Sequence, residues 1–205
     1  RTFVVQLIGL VTSFVLTIFL SPSAFGVFFV VSAAIAFLSY FSDIGLAAAL
    51  IQKKEPVTDE ELKTTFTIQQ TLIVALVVTA FALSNFVGSF YDLNREGILL
   101  FQALIFSFFL SSLKTIPSII LERSLRFEKL VIPQIVETFF FSITAVSLAI
   151  AGFGITSFTF AVLARGISGL LTIYIISPWK PGVGFSKKVL SRLLSFGVPF
   201  QTNSV

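Results

Sequence analysis

Long, uninterrupted apolar runs recur along this chain, and they decide most of what it can fold into. An apolar helix needs about 20 residues to cross a hydrocarbon core of about 30 Å. Six stretches meet that length, at 2–20, 25–42, 64–86, 98–116, 130–151 and 156–176, and a seventh begins near Leu194. The runs are continuously apolar rather than alternating, which argues against the strands of a membrane barrel. Composition agrees, since 56% of the 205 residues are hydrophobic and only 12% are charged, where a soluble domain carries about a quarter. The expected fold class is an all-α polytopic membrane protein.

The expected organisation is a six-span bundle over 1–176, a basic amphipathic linker over 177–193 and the start of a further span over 194–205. Position 1 is Arg rather than Met, and the sequence stops inside an apolar run. A fragment of a longer protein is therefore expected. No small-residue cleavage site follows the first run, so it reads as a span and not a signal peptide.

Lysines and arginines orient the bundle. With the N-terminus inside, Arg1, the loop after span two, the end of span four with its loop, and the stretch after span six share one side. That side collects twelve of the 14 cations; Arg95 alone faces out and Arg165 is mid-span. Such asymmetry predicts a cytoplasmic N-terminus in the cell inner (cytoplasmic) membrane. The net charge of +4 is then a topology signal aimed at membrane lipids, and no nucleic-acid partner is expected.

Chemistry is sparse. There is no Cys and no His, which removes thiol chemistry, cysteine metal sites and the commonest general base. No metal site and no catalytic residue are predicted. The glycines of "GFGITSFTFAV" open a span without the rest of a phosphate loop, so they read as a turn. Local punctuation supports the boundaries. Ser21 and Pro22 suit the N-cap and first position of a helix, and "TDEEL" reads as a capping box from Thr58 to Glu61.

Two opposite charges sit where charge is costly. Glu137 lies about 10 Å in from the cytoplasmic side and Arg165 about 14 Å in from the outer side, at 1.5 Å per residue. Their heights differ by about 6 Å on consecutive antiparallel helices, within reach of two long side chains. Each charge costs about 2.5–3.5 kcal/mol or more at such depth. Either they form a structural pair that locks spans five and six, or Arg165, with or without Glu137, lines a wet cavity. Ala161, Arg165, Ser168, Gly169 and Thr172 form one small or polar stripe, and Gln6, Gly9, Ser13 and Thr17 another. Arg165, Glu137, Gln6 and Ser168 are the cavity candidates. Asp43, Lys114 and Arg123 are the gate or interface candidates, with Lys114 expected to snorkel toward the headgroups, Asp43 to end its helix, and Arg123 to anchor the inner surface. Pro117 is expected to kink or stop span four.

"LSPSAFGVF", "SDIGLAAALIQ", "PSIILERSLRF", "WKP" and "LLSFGVPF" follow one another in order across nearly the whole sequence. In that order the chain resembles the polysaccharide (O-antigen-type) flippases, the Wzx-like branch of the multidrug/oligosaccharidyl-lipid/polysaccharide (MATE/MOP-like) exporter superfamily. The resemblance implies two six-helix lobes around a central cavity, of which this chain would be the N-terminal lobe, its linker and the start of span seven. It implies alternating access that carries an undecaprenyl-diphosphate-linked oligosaccharide from the inner to the outer leaflet, with the C-terminal lobe of the same chain as a partner. It also implies cavity cations, a role that Arg165 fits by type and depth. No cofactor is expected beyond an unassigned coupling ion. The transport alternatives are a MATE-like cation or drug antiporter, which would want unpaired acids in this lobe, and a lipid II flippase. A polytopic glycan polymerase or ligase would want a large, charged outer loop, whereas only Asp92, Arg95 and Glu96 lie on that side. A purely structural subunit leaves the mid-span pair unexplained. The chain is expected not to be an enzyme.

Overall fold

The computed structural model describes residues 2–40 and 45–193. Among them every regular element is helical: α1 (Thr2–Phe19), α2 (Pro22–Tyr40), α3 (Leu46–Gln52), α4 (Asp59–Ala82), α5 (Ser84–Phe90), α6 (Arg95–Ser112), α7 (Thr115–Arg123), α8 (Phe127–Ile150) and α9 (Thr156–Ile176). Four helical stretches are long and apolar enough to cross a membrane: α4, α8, α9 and the α6–α7 rod Arg95–Arg123. α1 and α2 contribute shorter apolar stretches. The protein is a multi-pass membrane protein, as the runs of the sequence require. Arg1, Asp43 and the expected start of a seventh span lie outside the described residues.

The boundaries follow local chemistry. Ser21 Oγ accepts the Ala24 N–H at 3.3 Å, and Pro22 opens α2, where its missing donor costs nothing. Thr58 caps α4 by accepting the Glu61 N–H at 3.3 Å, while Glu61 Oε2 accepts the Thr58 N–H at 3.0 Å. This is the reciprocal capping box read from "TDEEL". Asn94 Oδ1 does the same service for α6, accepting from the Gly97 N–H at 2.9 Å.

Span four departs from its expected form. α6 ends at Ser112, and Lys114 N–H bonds the Ser111 carbonyl in a tight turn at 3.2 Å. The helix then resumes as α7. Pro117 is the third residue of α7, and the first turn of a helix has no acceptor for its N–H groups anyway. Proline therefore does not end the rod. The carbonyl that it cannot serve, on Leu113, accepts the Tyr174 hydroxyl from α9 at 3.1 Å.

α9 sits between α8 and α6, and α1 packs on the other side of α8. One core joins Leu16 of α1, Ala24 of α2, Leu100 and Ala103 of α6, Ala145 of α8 and Phe158 of α9. Phe158 stacks on Phe28 at 4.4 Å between ring centroids and meets Phe25 edge-on at 5.6 Å. Small residues bring α6 and α9 together, as expected where lipid supplies no hydrophobic drive. A Cβ on Gly166 would stand 3.0 Å from Ser107 Oγ, and that hydroxyl donates to the Val162 carbonyl at 3.2 Å. Thr12 of α1 donates to Ser142 of α8 at 2.7 Å.

The amphipathic linker docks on protein through its apolar face. Its helical turns at 187–193 bury Val189 and Leu193 against Leu46, Ala49 and Leu50 of α3 and Ile116 and Ile119 of α7. Trp179 packs edge-on to Phe66 of α4 at 5.1 Å. That apolar face is turned onto protein because α3, which the sequence did not reveal as a helix, offers a second apolar surface beside it.

Candidate functional site

The break between α6 and α7 turns Lys114 inward. Its Nζ meets Glu137 Oε1 at 2.5 Å, and both side chains are largely buried. Arg165 Nε stands 3.7 Å from Glu137 Oε2, with its side chain 56% exposed. The structure thus brings Glu137 and Arg165 together, but the tighter partner of Glu137 is Lys114. The snorkelling expected of Lys114 is not seen. The sequence reading put the end of span four at Ile116, whereas the rod runs on to Arg123 and leaves Lys114 well inside it.

Glu137 reaches this position because α9 has no side chain in its way. A Cβ on Gly169 would lie 1.9 Å from Glu137 Oε1, closer than any real contact. Gly169 was legible only as one member of a small-residue stripe; its individual role depends on the register of α8 against α9. Ser168 is buried and donates to the Arg165 carbonyl at 3.1 Å, so its hydroxyl serves its own helix. Gln6 stands exposed on α1, and no hydrogen bond among the described residues ties it to Glu137 or Arg165.

A cavity of about 240 Å³ opens beside the pair, lined by Lys114, Glu137, Glu122, Ser118 and Gln134 among others. Lys114, Glu122 and Glu137 thus line a polar hollow in otherwise apolar helices, and Arg165 adjoins it through Glu137. At 3.7 Å the Arg165–Glu137 contact is an ion pair but too long for a hydrogen bond, so the guanidinium keeps its five donors for another acceptor. A polar layer that sequence reasoning missed adjoins Lys114 on the chain. Gln69 donates to Thr115 at 3.1 Å and Gln70 to Ser112 at 3.1 Å. Two adjacent glutamines in a membrane run were the available signal.

A second ionic cluster lies near the start of α4. Glu61, with its side chain 2% exposed, pairs with Lys53 at 2.9 Å and Arg192 at 3.3 Å. Arg123 lies at the same end and fastens α3. Its Nη1 donates to the carbonyls of Leu50, Ile51 and Lys53 at 2.5–3.2 Å, and Nη2 to Glu55 at 2.8 Å. A cation suits the otherwise unpaired carbonyls of a helix C-terminus. Arg123 is thus an interface residue of α3 and α7.

A family profile described as "Polysaccharide biosynthesis protein" matches residues 15–205. The chain belongs to that family. Its role is accordingly in polysaccharide biosynthesis, exercised from within a membrane. No curated protein and no solved structure shows significant similarity to it.

Proposed function

We propose that this chain is the N-terminal lobe of a flippase that carries an undecaprenyl-diphosphate-linked oligosaccharide across the cytoplasmic membrane by alternating access. The observation that carries this reading is the exposed Arg165, held only loosely by Glu137 in a membrane-spanning bundle of a polysaccharide biosynthesis family member. A diphosphate needs cations within the membrane while its lipid tail stays in lipid. Guanidinium recognises phosphate oxygens through paired hydrogen bonds. Glu137 holds Arg165 and Lys114 in place when no anion is present, which lowers the cost of two cations in an apolar bundle. An arriving diphosphate replaces Glu137 at Arg165 and leaves Lys114 as the anchor of the carboxylate. The second lobe of the full protein closes the other wall of the cavity, and rocking of the lobes exposes it to each leaflet in turn. The concentration of lysine and arginine on one side supports a cytoplasmic N-terminus. On this reading the protein transports and does no bond chemistry.

The test is export in cells that lack their own flippase and carry the full-length gene. Arg165→Ala is expected to abolish surface polysaccharide at unchanged protein level, with Arg165→Lys retaining export. Undiminished export by the alanine variant would reject the reading.

A further inference from the structure

The linker crosses α4 as an extended segment whose residues alternate between two sides. Gly182 and Gly184 face the helix, and Val183 and Phe185 face away. The glycines let the segment approach closely without displacing the Lys63 side chain. A Cβ on Gly182 would lie 2.7 Å from Lys63 Cε, and one on Gly184 would lie 3.0 Å from Lys63 Cβ. The Gly184 N–H also donates to Thr67 Oγ1 at 3.0 Å. With period-2 alternation, pressing both glycines onto the Lys63 stem forces Val183 and Phe185 outward. They are 88% and 66% exposed, while the neighbouring Val189 and Leu193 are buried in protein.

Depth and charge identify what meets them. Thr67 lies about two turns into α4, a helix long and apolar enough to cross the membrane. The segment fastened to it therefore runs at the level where α4 enters lipid. The linker residues 177–193 contain Lys180, Lys187, Lys188 and Arg192 and no acid, and the three lysines are exposed. Two outward apolar side chains flanked by lysines, at interfacial depth, complement an anionic phospholipid surface.

We propose that residues 180–188 seat Val183 and Phe185 in the membrane interface and gather anionic phospholipid headgroups through Lys180, Lys187 and Lys188. The membrane contact of the linker is then this short hook, and not the amphipathic helix that follows. It depends on the bundle spanning a membrane and is independent of what the protein transports.

The experiment uses the full-length protein in phospholipid vesicles. Trp179 is the one tryptophan in the present sequence. With it, and any tryptophan elsewhere in the full chain, changed to Phe, Phe185→Trp becomes a single reporter. Emission at position 185 is expected to be quenched by phospholipids brominated in the upper acyl chain and shielded from aqueous iodide. Brominated phosphatidylglycerol should quench more than brominated phosphatidylcholine at equal mole fraction. Each Lys→Gln change at 180, 187 or 188 should lower that preference up to about fivefold, and high salt should erase it. Quenching by iodide but not by lipid would overturn the membrane contact. Shielding from both quenchers would mean that protein covers the hook, and equal quenching by the two lipids would remove the anionic preference.

Discussion

Glu61 and Glu137 are both buried carboxylates facing two cations, yet they are held in opposite ways. Glu61 is bonded from several directions: its backbone and side chain complete the capping box with Thr58, and Lys53 and Arg192 pair with its oxygens. Its side chain is 2% exposed. Glu137 has one close partner and one loose partner, and both carboxylates border a hollow. Burial and charge pairing alone therefore do not separate a structural carboxylate from one available for exchange. The completeness of its bonding does. Glu61 fastens α4 to the chain before and after it, whereas Glu137 touches Arg165 only at 3.7 Å.

That contrast can be broken by substitution. The largest effect is expected for Glu61→Ala, which removes the carboxylate that Lys53 and Arg192 share and opens the capping box. Loss of one partner of a buried pair costs about 3–5 kcal/mol, to be read as a lowered midpoint in thermal unfolding of the purified protein. A cost below that of an ordinary surface pair would show that the cluster is not the fastening described. Gly169→Ala comes next. It should cost about 1–3 kcal/mol by forcing Glu137 aside. The same change made on a Glu137→Ala background should cost much less, and additive costs in this double-mutant cycle would mean that Gly169 does not make room for the carboxylate. The smallest effect belongs to Asp59→Asn. Its pair with Lys63 is exposed and one helical turn apart, worth about 0.3–0.5 kcal/mol, so the unfolding midpoint should barely move.

Much of the bundle was legible because membrane spans announce themselves locally. The run at 156–176 coincides with α9, and the Thr58 box and Ser21 cap stand where residue chemistry put them. The nearness of Glu137 and Arg165 followed from rise per residue on antiparallel helices. What could not be read depends on register between helices. Lys114 lay near the expected end of a span, and only the continuation of the rod through Pro117 places it beside Glu137. α3 is seven residues long, too short for periodicity to reveal. The linker's apolar stripe was visible, but no pattern within it distinguishes lipid from a neighbouring helix as the surface it covers.

The grip of Arg123 on α3 also sets a timetable for biosynthesis. The carbonyl of Leu50 waits for a guanidinium 73 residues downstream, an interval of about 4–15 s at translation rates of about 5–20 residues per second. During that interval the nascent α3 has a ragged end and no fixed seat. The end of α3 can be fastened only after Arg123 has left the ribosome.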